Sequence, residues 1–247
     1  MYNHLVISFK GGAIMFSKDS SINLDKADIL IQALPYIQKF NGYIDKNNPS
    51  LTFENPREAR KHAFKPGNEY AKVIACSRVP AVIIGRFIFV HAGFVDSLIE
   101  KLHIKGRNDL YRIGLIMRKW LLGLIDKDNI IDIINTSSHS LLWERILGGI
   151  PPNMNSDHPD CVNHLDKALG VFKVEKMIIG HTPQYFINNI GINKTCSDKL
   201  WRIDFGGSFG FNKFDKEFTQ NGNVVNMRNA QVLKILNDKE ITILPTK

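Results

Sequence analysis

The sequence predicts an α/β fold, and three observations carry that expectation. An apolar run, Ile83-Ile84-Gly85-Arg86-Phe87-Ile88-Phe89-Val90, stops abruptly on His91-Ala92-Gly93. A second run, Val174-Glu175-Lys176-Met177-Ile178-Ile179, stops on Gly180-His181-Thr182-Pro183-Gln184. Helical patterns lie between the two. An order of strand, helix, strand, with a histidine delivered at each strand end, is that of a sheet covered by helices. A strand end holds a side chain rigidly yet lets it face a cleft, and a nearby glycine lets the backbone approach a ligand closely. His91 and His181 are therefore candidates for one site.

The bulk properties suit a single domain over residues 1–247, because a chain of this length that is 44% hydrophobic can bury a substantial core. No apolar run of about 18 residues is present, and the N-terminus has no basic segment leading into an apolar one, so neither a membrane span nor a signal peptide is expected. The expected location is intracellular, cytoplasmic and not secreted. A net charge of +8 raises the question of an anionic partner. Lys and Arg are spread along the chain rather than massed, however, which argues against nucleic acid. Cys76, Cys161 and Cys196 are scattered and odd in number; the expectation is reduced thiols, with neither a disulfide framework nor a zinc motif.

Taken in order, residues 8–15 read as loop at Gly11-Gly12, and Ile29, Leu30, Ala33, Leu34 and Ile37 form one helical face interrupted by Pro35. Residues 41–48 read as turn. Asn55-Pro56 is a cap followed by proline at the first helical position, opening a helix to about residue 62, and residues 69–77 read as another. Residues 82–84 and 87–90 pair as strands about Gly85-Arg86. Residues 96–102 form a short helix, and Asn108 caps a longer one to residue 124, with Leu110, Ile113, Met117, Trp120, Leu121 and Leu124 on a core face. Residues 148–159, rich in Gly, Pro, Asn and Ser, read as an exposed loop and a candidate cleft rim. A helix over 160–169 buries Cys161, Leu165 and Leu169. Residues 201–205 read as a strand, 213–226 as a flexible loop, and 232–236 with 240–244 as a hairpin about Asn237-Asp238-Lys239.

The segments Phe89-Val90-His91-Ala92-Gly93 and Ile179-Gly180-His181-Thr182-Pro183-Gln184 resemble the last two histidine motifs of the calcineurin-like metallophosphoesterases, in detail those of the Shewanella-like protein phosphatase branch. Arg57 through Ala63-Phe64-Lys65-Pro66-Gly67, Trp143-Glu144-Arg145, and Ile203-Asp204-Phe205-Gly206 are similar to further segments of that branch. Met1-Tyr2-Asn3-His4-Leu5 resembles its Gly-Asn-His-Glu motif, with Tyr for Gly and Leu for Glu. The branch's two Gly-Asp motifs have no counterpart in this sequence.

The resemblance implies a sandwich of two mixed sheets flanked by helices, here lacking the first strands, with metals where strand ends converge. By matched position it makes Asn3, His91 and His181 ligands of a divalent metal (Mn, Fe or Zn), His4 the acid that protonates a leaving oxygen, and Arg145 the phosphate-binding arginine. Asp204 is expected to anchor a turn beside the site, and His62, His103, His139, His158 and His164 to be surface or packing residues. The implied partner is a phosphorylated protein or a small phosphoester. Loss of the first strands would expose sheet edges and favour self-association. Two readings remain open: a metal-dependent phosphoesterase, and a catalytically inactive remnant that binds a phosphorylated partner. Residues that can complete at best one metal site predict weak hydrolysis by this chain alone.

Overall fold

The computed structural model describes residues 40–134, 139–207 and 230–245. The expectations for Asn3, His4, the segments 8–15 and 29–37 and the loop 213–226 lie outside these. The chain groups into two compact units, residues 40–78 with 117–127, and residues 79–116 with the described residues from 128 onward.

In the first unit, α1 (Pro56–Ala63) begins where the Asn55 side chain accepts from the Glu58 N–H at 3.0 Å, with proline filling a position that needs no donor. Helix α2 (Glu69–Ser77) follows. Phe40, Phe64 and Tyr70 pack on one another, and the guanidinium of the buried Arg60 lies 5.4 Å from the Phe64 ring centre and 5.7 Å from that of Phe40. His62 lies 2.5 Å from the buried Asp45 carboxylate, a packing role in keeping with its lack of a motif.

In the second unit, β1 (Ala81–Ile84) and β2 (Phe87–Val90) form the expected hairpin, and α3 (Asp96–Lys101) follows. It ends with His103 at φ 50° while Ile104 N–H reaches back to Ile99 C=O, so His103 is a left-handed helix terminator.

Helix α4 (Asn108–Leu121) runs from the second unit into the first. It stops short of the expected residue 124 because Gly123, at φ +75°, turns the chain so that Leu124 N–H bonds Lys119 C=O. A Cβ on Gly123 would lie 2.9 Å from Gly67 Cα. Asn108 is this helix's first residue, and the side chain serving its start is Asp109, which accepts from Lys105 and Gly106 N–H.

A 3-10 turn (Lys127–Ile130) leads into α5 (Ile131–Ile134), and α6 (Ile146–Gly149) follows. The single helix expected over 160–169 is two, α7 (Pro159–His164) and α8 (Asp166–Phe172), broken at the buried Leu165, whose φ of −121° is not helical. The continuous apolar face hides that break, because Cys161, Leu165 and Leu169 are buried on both sides of it. The loop from 148 is less exposed than its composition suggests. Gly148 and Ile150 are buried, and Pro151 C=O accepts from Thr195 Oγ1 at 2.7 Å.

Strand β3 (Lys176–Ile179), α9 (Gln184–Asn188), β4 (Asn193–Thr195) and β5 (Leu200–Arg202) complete a five-stranded mixed sheet in the order β1-β2-β3-β5-β4, with β2, β3 and β5 mutually parallel. Strand β5 ends at Arg202, short of the expected 205. The second sheet is a correction to the expected pair of mixed sheets: among the described residues it is the two-stranded antiparallel hairpin β6 (Gln231–Leu236) and β7 (Glu240–Pro245). Its Leu233, Ile235 and Ile241 pack against Phe87, Ile178, Ile192 and Trp201. Alternation turns Ile88 and Val90 to the opposite face. Asp238, in the left-handed turn of this hairpin, accepts from Arg86 N–H at 3.0 Å, joining the tips of the two hairpins.

A second correction concerns the cysteines. Cys161 at the start of α7 and Cys196 after β4 are joined by a disulfide, their Cα atoms 5.7 Å apart. Their separation of 35 residues concealed a contact made by the loop that lies along β4, where Ser197 N–H bonds Met154 C=O at 2.9 Å. Cys76 is free and exposed. A cross-link over this separation constrains the unfolded chain by up to ~4 kcal/mol. Reduction, or Cys161→Ser, should therefore lower the melting midpoint measured by circular dichroism, whereas Cys76→Ser should leave it in place.

Candidate functional site

The parallel register Val90↔Ile179 and Ile179↔Arg202 places the C-terminal ends of β2, β3 and β5 side by side, so His91, His181 and Asp204 emerge along one sheet edge. Crevices at the carboxyl ends of parallel strands are where open α/β sheets bind ligands. Gly180 N–H donates to His91 C=O at 2.8 Å, closing the two loops on each other. The rings meet with His91 Nε2 at 3.2 Å from His181 Nδ1.

His181 sits at φ 67°, and Thr182 N–H bonds Gly180 C=O at 2.7 Å across it, a three-residue turn with the histidine at its centre. Such turns are rare and strained, and strain of this kind collects at ligand sites. The Trp143 ring lies 5.1 Å from the His181 ring, and the Arg145 guanidinium lies 5.7 Å from Trp143 and donates to His181 C=O at 3.3 Å. Arg145 is exposed, with one face of its guanidinium against the indole.

Electrostatics follow from this crowding. Burial, reinforced by the Arg145 charge, pulls the His91 pKa down, which favours the neutral ring. Burial raises the Asp204 pKa against the opposing pull of the Gly206 N–H and of Arg145. Asp204 Oδ1 accepts from Gly206 N–H at 3.1 Å, which is the turn-anchoring contact expected of it.

Glu144, which composition alone would send to the surface, is fully buried. Its Oε2 accepts from Leu147 N–H at 3.1 Å, and desolvation pushes its pKa up to about 8. Its other oxygen sits against Gly93, where an added Cβ would lie 2.4 Å from Oε1 and 2.7 Å from Leu147 Cδ1. That close approach locks the loop after His91 to the segment bearing Arg145, aided by Ala92 N–H bonding Leu141 C=O at 3.0 Å. An apolar hollow of about 270 Å³ borders His91, walled by Val82, Phe89, Val90, Ile178 and Ile203.

Of the residues the sequence singled out, the structure brings together His91, His181, Arg145 and Asp204; Asn3 and His4 lie outside the described residues. Trp143, Glu144 and Gln184 sit within the motifs, but their roles depend on tertiary contacts. Among the described residues, no group of three or more His, Cys, Asp or Glu side chains is gathered closely enough to hold a metal ion. The 3.2 Å contact between the two imidazoles is of hydrogen-bond length, and a shared cation would ask for a similar spacing. Two metal–nitrogen bonds of about 2.0–2.1 Å at a near-tetrahedral angle put the nitrogens about 3.3 Å apart, close to the observed 3.2 Å.

The fold and site thus define a mixed α/β protein with paired histidines and an arginine at the carboxyl edge of its parallel strands. The chain belongs to the same family as the uncharacterized protein R398 of Acanthamoeba polyphaga mimivirus, to which it is 37% identical over 215 residues, covering 82% of this chain and 81% of that protein. It is also 31% identical over 159 residues to Shewanella-like protein phosphatase 2 of Arabidopsis thaliana, covering 64% of this chain and 36% of the relative. It therefore spans little more than a third of that phosphatase. No protein-family model matches the chain. The solved structure of a point mutant of a cold-active protein tyrosine phosphatase overlays with a TM-score of 0.41 at 15% identity, covering 82% of this chain and 47% of that one, an overlap too low to bear on the fold.

Two outcomes test this geometry. Gly93→Ala should cost about 1–3 kcal/mol of stability by forcing Glu144 and Leu147 away, measured as a lowered denaturant midpoint with an unchanged slope. Because the Glu144 pKa is raised from 4.5 in the unfolded chain to about 8 on folding, the unfolded state loses its proton first. Stability should therefore fall as pH rises from about 4.5 to 8, and Glu144→Gln should flatten that dependence in melts across the range.

Proposed function

We propose that this chain is a phosphatase-like protein of the calcineurin-like metallophosphoesterase type, whose His91, His181 and Arg145 cluster binds a phosphate monoester, borne on a protein or a small molecule, together with a divalent cation. The observation that carries this reading is the 3.2 Å pairing of His91 Nε2 and His181 Nδ1 on adjacent parallel strand ends, with Arg145 bonded to the His181 carbonyl beside them. The likeness to Shewanella-like protein phosphatase 2 supports the same class.

His91 and His181 would hold the cation, with Asn3 adding its amide oxygen. Bound there, a cation of the Mn, Fe or Zn kind supplies Lewis-acid polarisation of a phosphoryl oxygen and a more acidic water. The chain's own groups do the rest. Burial favours the neutral form of His91, which meets the cation with a lone pair rather than a proton. Trp143 packs on His181 and limits its ring orientation. Arg145 presents a planar fork to two phosphate oxygens and offsets their charge. The apolar wall by Phe89, Val90 and Ile178 thins the water on one flank of His91, which strengthens each charged contact. His4 would return a proton to the leaving oxygen. Hydrolysis by this chain is slow in this reading, because two imidazoles and an amide fix a cation without a bridging carboxylate, and the attacking water is then poorly aimed.

Steady-state hydrolysis of an aryl phosphate with added Mn²⁺, and inhibition by inorganic phosphate, test the reading. Slow metal-dependent turnover is expected. His91→Ala and His181→Ala should each remove the metal dependence, and Arg145→Ala should weaken phosphate binding by about ten- to a hundredfold, the worth of a charge-assisted contact. Phosphate binding without turnover would select the inactive-remnant alternative. A wild-type chain that binds neither Mn²⁺ nor phosphate would overturn both.

A further inference from the structure

The last residue of the Gly180 to Gln184 motif has no part in holding cation or phosphate, yet it is among the most completely engaged side chains in the unit. Gln184 is fully buried. Its amide nitrogen donates to Gly148 C=O at 2.9 Å and to Thr182 C=O at 3.0 Å. Its amide oxygen accepts from Asn188 Nδ2 at 2.8 Å and from Asn193 Nδ2 at 3.0 Å. Two N–H groups and two lone pairs are the whole capacity of a primary amide, and all are in use. Its backbone N–H adds a bond to Asp204 C=O at 2.7 Å.

The identity of these partners gives the amide its role. Thr182 follows His181 and closes the strained turn that aims it. Gly148 lies three residues beyond Arg145, and Asp204 follows the end of the neighbouring strand β5. One side chain thus ties the His181 loop to the Arg145 segment, and its backbone ties both to the end of β5. Close packing makes the tie stiff, because a Cβ on Gly148 would lie 2.3 Å from the Thr182 Cβ, so the two segments touch backbone to side chain beside the amide. A non-glycine residue keeps a conformation like that of His181 only when its surroundings over-determine it, and the Gln184 bond to Thr182 C=O is part of that surrounding frame. A carboxyl in the same place could donate once at most, leaving one of the two carbonyls buried without a donor.

We propose that Gln184 is the positioning residue of this site, holding the His181 ring and the Arg145 guanidinium at fixed separation through its bonds to Thr182 and Gly148. The proposal rests on the phosphate-site reading, but its structural half does not depend on phosphate or metal. The test compares the wild type with Gln184→Met, which keeps length and volume and removes all four side-chain bonds, and with Leu169→Ala, which deletes a buried side chain of α8 and reports a loss of stability alone. The readouts are the imidazole proton signals of His91 and His181 by NMR, with those of His62 and His164 as internal references, the melting midpoint, and kcat and KM for an aryl phosphate with Mn²⁺.

In Gln184→Met the His181 signals should move as the ring leaves the Trp143 face, while those of His62 and His164 stay in place. kcat/KM should fall by on the order of a hundredfold, as expected for a misplacement of about 1 Å. Leu169→Ala should lower the midpoint and leave the His181 signals and kcat unchanged. Unmoved His181 signals in a folded Gln184→Met chain would overturn the proposal, even if the wild type proved to bind neither metal nor phosphate. If that variant does not fold, Gln184→Glu is read by the same signals; failure of both to fold would assign the amide to stability alone and overturn the positioning role.

Discussion

The parallel pairing of β2, β3 and β5 is the constraint on which the rest depends. With Val90 opposite Ile179 and Ile179 opposite Arg202, the three chains leave the sheet at one level, and His91, His181 and Asp204 become neighbours although 90 and 23 positions separate them in turn. A slip of one residue in either ladder would reverse which face each strand end presents. That register is held by apolar burial on both sides of the sheet. Phe87, Ile178 and Trp201 face the β6–β7 hairpin, and Ile88 turns to the opposite face, fully buried.

Polar groups inside this frame are costly, and at Arg202 neutral hydrogen-bond partners stand where a charge pair would be expected. Arg202 is 1% exposed, and the groups that meet its guanidinium are neutral: Asn193 Oδ1, reached by Nε at 2.8 Å and again by a second nitrogen, and the Ile150 carbonyl. Burial accordingly lowers its pKa to about 10, which still leaves it charged. Asn193 then passes the network to Gln184. Polar groups satisfied in this way specify one arrangement, because every alternative leaves a buried donor or acceptor without a partner.

How much of this could be read from the chain depends on whether the deciding interaction is local. Asn55-Pro56 places a helix start within its own four residues, and Gly85-Arg86 and Asn237-Asp238 place hairpins, so these elements stand where the sequence puts them. The two histidines were visible because each ends an apolar run beside a glycine. The end of α4 at Leu121 was partly legible in Gly123, but the close approach of Gly67 that demands glycine there was not. The Cys161–Cys196 bond and the burial of Glu144 were hidden because each is decided by a segment distant in sequence, and the break at Leu165 because the apolar face runs through it without interruption. Strand β4, Asn-Lys-Thr, carries no apolar alternation; it is a strand because Leu200 to Arg202 offers it a ladder.

The disulfide divides the site topologically. Cys161 and Cys196 close a covalent ring that contains β3, His181 and Gln184, whereas His91 and Arg145 lie on the chain that enters it. A backbone cut anywhere between these cysteines, at the exposed Ile187 for instance, would leave a two-chain molecule with both ends of the break still tethered to the sheet. The half of the site carrying His181 is thus fastened at two points, by the ladder β3 shares with β2 and β5 and by a sulfur bond. His91 shares that ladder through β2, whereas the Arg145 segment is joined to the ring by hydrogen bonds and packing, among them Arg145 to His181 C=O and Gln184 to Gly148 C=O.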